Sequence, residues 1–160
     1  MRRAAAALAV ALALVGADPA AAQRLLHAGP FWAAFERPGG VCEAVSRSEV
    51  IAAPGRPQAR ATFAFAREGK RRGELHVLFA RPVRPGAAAV LTVGAESFLL
   101  VTRGASAWSR GPAQEAAIIA ALRRSTEMRV RAQGQGGRIS DRYLLGGAPT
   151  AIDAAAIACA

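Results

Sequence analysis

Cys42 and Cys159 are the only cysteines in a chain of 160 residues, so a disulfide within it has one possible connectivity. Whether they pair depends on the compartment, and the start of the chain reads as an export address. Arg2 and Arg3 form a positive head, Ala4 to Gly16 an apolar stretch, and Ala20-Ala21-Ala22 a small-residue cleavage site before Gln23. The apolar stretch is too short for a bilayer, which needs about 20 residues, so residues 1–22 read as a cleavable signal peptide rather than an anchor. The expected location is the periplasm, with outer-membrane association or secretion as variants, and there thiols oxidise. A cross-link from Cys42 to Cys159 then encloses most of the remaining chain, residues 23–160, which has the length of one domain. A C-x-x-C spacing is missing, so the bond is expected to be structural rather than redox-active.

Such a staple matters because the core is modest. Hydrophobic residues make up 52% of the chain, yet many are alanine, which buries little area. Chain-entropy reasoning gives about 4–5 kcal/mol for so long a loop, against total stabilities of roughly 5–15 kcal/mol. The formal net charge is +10, nearly all the cations being arginine and Lys70 the single lysine. The arginines read first as a solvated surface; the sharper reading is attraction to anionic lipid, polysaccharide or an acidic protein. No nucleic-acid recognition motif accompanies them, and no later segment is apolar enough to span a membrane.

Short apolar or alternating segments dominate the rest: Phe31 to Phe35, Val41 to Val45, Ala61 to Ala66, Leu75 to Ala80, Ala89 to Val93, Ser97 to Thr102, Met128 to Ala132 and Ile139 to Leu145. Pro38-Gly39-Gly40, Pro54-Gly55, Gly69, Pro85-Gly86 and Gly94 punctuate them as strand connections require. Phe63 with Phe65, and Val77 with Phe79, repeat at period two and are expected to face one core. Pro112, Glu115 and the Arg123-Arg124 pair mark a helix over Ala116 to Leu122. Near the C-terminus Thr150 and Asp153 have capping-box spacing, and Ile152, Ala155, Ala156 and Cys159 share a helical face. Gln23 to Pro30 reads as a flexible lead-in. The expected fold is mainly β: a single β-sandwich-like domain with two short helices and one disulfide.

Chemistry-bearing motifs are sparse. Gly134, Gly136 and Gly137 sit between two strands, where a hairpin turn fits better than a phosphate loop. Gly104-Ala105-Ser106-Ala107-Trp108 lacks the second glycine of a nucleophile elbow. His27 and His76 are the only histidines, and His76 alternates with Leu75 and Val77, so it is expected to point outward. The carboxylates are scattered. Arg81-Pro82-Val83-Arg84-Pro85 reads as a rigid strand connection, and Trp32 and Trp108 as core or core-edge packing. No catalytic, cofactor-binding or metal-binding residues are expected. The densest charge run, Arg67, Lys70, Arg71 and Arg72, is expected to tip a hairpin and is the candidate anionic-surface site.

The order of several short motifs resembles the invasion-associated locus B family, small exported proteins of alphaproteobacteria. The matching residues are Trp32 ahead of Val41-Cys42, Ser97-Phe98-Leu99-Leu100, Ala107-Trp108, Ser125 through Met128 with Val130, Asp141-Arg142-Tyr143 and Ala158-Cys159. After Tyr143 the chain departs from the family pattern, with Leu144-Leu145-Gly146-Gly147-Ala148 in place of a Ser-Leu-Ser-Gly-Phe run. The resemblance implies a compact β-rich envelope protein, named for a role in bacterial entry into host cells, with no catalytic residues to carry over. The functional expectation is a non-enzymatic exported envelope protein that binds or scaffolds, its partner an envelope protein or an anionic envelope surface. A periplasmic enzyme is the remaining reading, and it requires a polar pocket that a sequence does not display.

Overall fold

The computed structural model describes residues 23–67, 69 and 71–159; the signal peptide expected over residues 1–22, and Lys70, lie outside the described residues. Among the described residues, ten strands form one antiparallel sheet: β1 (Arg24–Ala28), β2 (Ala33–Arg37), β3 (Val41–Arg47), β4 (Arg60–Ala66), β5 (Arg72–Leu78), β6 (Ala89–Val93), β7 (Glu96–Arg103), β8 (Ser106–Trp108), β9 (Glu127–Gly134) and β10 (Gly137–Leu144). Their spatial order is β1-β2-β3-β4-β5-β8-β7-β6-β9-β10. β7 turns the corner between the two halves. Its Glu96–Leu100 stretch pairs with β6, whereas Val101, Thr102 and Arg103 pair with β8. A strand shared in this way lets one sheet bend into two facing layers. Hydrogen bonds from two loops of the first half reach β10: the Trp32 indole donates to the Leu144 carbonyl at 2.8 Å, and the Glu49 amide to the Arg142 carbonyl at 2.8 Å.

One core lies between the layers. Phe63, Leu75 and Val77 reach it from the first half, and Leu91, Met128 and Val130 from the second, all fully buried. The period-two expectation holds, since Phe63, Phe65, Val77 and Phe79 are all buried. Trp32 packs against Phe63 with ring centroids 5.9 Å apart, and Trp108 lies half-buried at the edge. The glycine run joins β9 to β10 as a hairpin with Gly134 opposite Gly137. Among the described residues, no helix is long and apolar enough to cross a membrane.

Helix α1 (Pro112–Leu122) starts on Pro112, which has no amide hydrogen to leave unpaired. It packs on β5 through buried Ile118 and Leu122. Gly73 permits that approach: its φ is +102°, and a Cβ there would sit 2.7 Å from Ile119 Cδ1. Helix α2 (Ala148–Ala158) lies across β1, β2 and β3. The capping box expected from Thr150 and Asp153 does not form. The helix begins earlier, at Gly147 with φ +83°, and Pro149 occupies its first turn. Asp153 instead pairs with Arg123 beyond the end of α1, at 2.5 Å. The flexible lead-in is also corrected, because Arg24–Ala28 forms edge strand β1, paired with β2 and tied by an Arg24–Glu36 ion pair at 2.5 Å.

Cys42 and Cys159 form the disulfide, with Cα atoms 5.8 Å apart across a sequence separation of 117. It ties the last turn of α2 to the middle of the first layer. Cys42→Ala is therefore expected to cost about 4–5 kcal/mol by the chain-entropy relation and to lower the melting temperature markedly. A calorimetric scan with and without reductant checks this, and a melt that neither change moves would contradict it.

Candidate functional site

The charge run Arg67 to Arg72 connects β4 to β5, as its residue types require. The Ala66 amide donates to the Arg71 carbonyl at 3.0 Å, and the Gly69 amide to the Ala66 carbonyl at 2.9 Å, which close the turn. Gly69 takes a φ of +69°, a conformation that favours glycine. Three of the four expected basic residues, Arg67, Arg71 and Arg72, line a single cleft of about 360 Å³. Its opposite wall comes from the end of α2, through Ala156 and Cys159, and Phe65 lines it as well. The structure thus sets the disulfide beside the basic hairpin, two features that the sequence presents separately.

The guanidinium groups are only partly committed to the protein. Arg67 reaches Glu36 at 3.0 Å and the Ala158 carbonyl at 3.5 Å, with a side chain that is 59% exposed. Arg71 approaches Glu74 at 3.5 Å. Exposed pairs of this kind contribute little to stability, so they orient the cations more than they neutralise them. Glu36 also accepts from Arg24, and that hydrogen bond, helped by the charges of Arg24 and Arg67, holds its carboxyl below the usual carboxylate range. Three guanidinium groups line the cleft, and a planar guanidinium fork suits phosphate or carboxylate oxygens.

Two arrangements were not visible in the sequence. His76 does not simply point outward: its Nε2 lies 3.0 Å from Ser106 Oγ, and its ring stacks on Trp108 with centroids 5.1 Å apart. The contact arises because β8, not β6, lies beside β5. Ser106 opens β8 after the Gly104-Ala105 turn, so the serine is on a strand rather than an elbow. A serine and a histidine in contact are two parts of an acyl-transfer apparatus, which also needs an orienting group on the other ring nitrogen and oxyanion donors. Among the described residues, no hydrogen bond reaches His76 Nδ1. The second arrangement is buried Asp141, which shares the inward face of β10 with Ile139 and Tyr143. Period-two alternation across Ile139, Asp141 and Tyr143 was the signal that could have found it. Burial pushes the Tyr143 hydroxyl far up from its ordinary value, and among the described residues that hydroxyl has no hydrogen-bond partner.

Among the described residues, no three His, Cys, Asp or Glu side chains converge as a metal ion would require. Comparison of the chain with protein-family models, curated proteins and solved structures finds no match.

The environment of His76 has a consequence for pH. Burial beside Trp108, reinforced by the Arg60 charge, lowers its pKa from the ordinary histidine value, outweighing the carboxylates of Glu74 and Glu43. The neutral ring is thus favoured in the folded state, so its contribution is present above the ordinary value of about 6.5 and is lost as pH falls through the lowered one. Ring titration by NMR is expected to place His76 below the usual histidine range. Melts between about pH 7.5 and about pH 5 should show a loss of stability that His76→Gln reduces; a His76 that titrates above the usual value would contradict the assignment.

Proposed function

We propose that the chain is an exported, non-enzymatic binding protein of the cell envelope and that it engages an anionic envelope surface through the β4–β5 hairpin. The observation that carries this reading is the gathering of Arg67, Arg71 and Arg72 around one cleft. Two further features support it. Helix α2 exposes Ile157, at 78%, in the same final turn that supplies the cleft wall, so an apolar contact is available beside the cations. Basic and apolar groups together favour a lipid surface over a purely polar polysaccharide. The Cys42–Cys159 bond is of the kind that persists in oxidising compartments, which supports export. Membership of the invasion-associated locus B family, and any part in entry into host cells, belong to the same proposal and rest on the motif order described above.

Vesicle co-sedimentation tests the reading, with phosphatidylglycerol in phosphatidylcholine against phosphatidylcholine alone. Each basic residue near an anionic surface contributes about 1 kcal/mol, so Arg71→Ala with Arg72→Ala is expected to weaken binding roughly 30-fold. Binding should also fall as salt rises. Salt-insensitive binding, or an unchanged affinity in the double variant, would overturn the hairpin assignment. Absence of vesicle binding, with one envelope protein captured reproducibly by in-cell cross-linking, would put a protein partner in place of the lipid.

A further inference from the structure

At the opposite end of β4 from the basic hairpin, the 48–59 loop between β3 and β4 faces the β9–β10 hairpin across a cleft of about 460 Å³. That volume falls within the range of small-molecule sites. Two features of the cleft run against ordinary folding economy. Ile51, on the loop, is 88% exposed, and Val50 beside it is 50% exposed. Nor is the loop slack: Gln58 Nε2 donates to the carbonyls of Ser48 at 2.9 Å and Val50 at 3.0 Å, and its Oε1 accepts from the Ala52 amide at 3.0 Å. An apolar lip is thus held in water by three hydrogen bonds.

The second feature is Asp141, which lines the cleft although it is only 5% exposed. Its Oδ1 accepts from Ser48 Oγ at 3.0 Å, and Ser48 Oγ in turn accepts from the Val50 amide at 3.1 Å, linking the carboxylate to the lip. Among the described residues no other hydrogen bond and no ion pair reaches this carboxylate. Burial raises its pKa from the usual carboxylate value, against the Ser48 hydrogen bond and the nearby charge of Arg81. Arg81 is fixed away from it, donating through Nη1 to the Gly136 carbonyl at 3.0 Å and through Nη2 to the Arg138 carbonyl at 2.6 Å. Arg56 and Arg138 also line the cleft.

Opposite charges therefore share one cavity without touching, beside an apolar lip. A simple cation would meet three guanidinium groups, and a simple anion would meet Asp141. A molecule bearing both charges satisfies both. We propose that this cleft binds a small zwitterion with apolar side chains, of the class of a short apolar peptide with free ends. Its ammonium donates to Asp141, as a buried carboxylate requires. Its carboxylate meets the guanidinium groups of Arg81 and Arg138, and its side chains cover Val50, Ile51 and Ile139. None of these residues belongs to the basic hairpin, so this site and the lipid-surface reading stand or fall separately.

The test uses one scaffold in three forms with the intact, disulfide-bonded protein: leucyl-leucine, its N-acetyl derivative and its C-terminal amide. Titration calorimetry and amide shift mapping are expected to show saturable binding of leucyl-leucine, with shifts centred on Ile51 and Asp141. Each capped form should bind at least tenfold more weakly. Asp141→Asn, which keeps the acceptor for Ser48, should erase the preference over the N-acetyl form, and Arg138→Ala should reduce the preference over the amide. An unchanged melt for each variant shows that the fold is intact. Equal binding of the three forms, saturable binding that Asp141→Asn leaves unchanged, shifts centred elsewhere, or no saturable binding would each overturn the proposal.

Discussion

Helix α2 depends on a covalent bond because its own buried surface is small. It turns Ala148, Ala151, Ile152 and Ala155 toward the strands, and three alanines with one isoleucine remove little apolar area from water. Small side chains allow a close approach to β2 and β3, but they do not hold the helix there strongly. No side chain caps its N-terminus either, since Gly147 occupies that position. The bond from Cys159 to Cys42 supplies the missing restraint, and it does so at the end of the helix opposite the Pro149 turn. Everything built on the last turn of α2 inherits that dependence. The basic cleft is the main case, because Cys159 and Ala156 form its wall and Arg67 reaches back to the Ala158 carbonyl.

The other structural requirement is contact between the two halves of the sheet. β7 changes partners midway, and the Trp32 indole bridges to β10 from the segment before β2. That contact sets the inward face of β10 against the loop after β3, so Ser48 meets Asp141 across 93 positions of sequence. Two polar groups are carried into the interior on that face, Asp141 and the Tyr143 hydroxyl. Apolar residues at either position would avoid the desolvation cost. Places where a sequence accepts such a cost are where function is most worth seeking.

Strand β6 shows how legible the regular parts were, for Ala89–Val93 has the bounds that alternation and Gly94 indicate. Helix α1 followed from Pro112 and the charges at its ends, and the disulfide from the cysteine count and the expected export. Strands β1 and β8 escaped for a physical reason. β1 is a five-residue edge strand with Leu25 exposed, and β8 has three residues, so neither carries enough periodicity to register. Each exists because a neighbouring strand offers it hydrogen bonds. Arg67, Arg71 and Arg72 were legible as a charge run, but the wall opposite them comes from the far end of the chain. The His76–Ser106 contact was hidden for the same reason, since β5 pairs with β8 across two intervening strands.

Asp141 and Glu115 are both buried carboxylates, but their surroundings differ. Both are 5% exposed. Glu115 lies in the first turn of α1, where the helix dipole favours negative charge. It also accepts from Ser109 Oγ at 2.8 Å, while Ser109 receives the Leu75 amide, so the group joins α1 to β5. Its position is accounted for by the fold. Asp141 sits in mid-strand, and among the described residues it has no helix end beside it and one hydroxyl as its donor. In a chain rich in arginine, most ion-paired carboxylates are at the surface, such as Glu96 with Arg124 and Glu127 with Arg142. Asp141 has cations around its cleft, yet Arg81, whose charge acts on it, is held by backbone carbonyls. A carboxylate used only for stability would gain by closing on that arginine; one that keeps its second oxygen free has it available for a ligand.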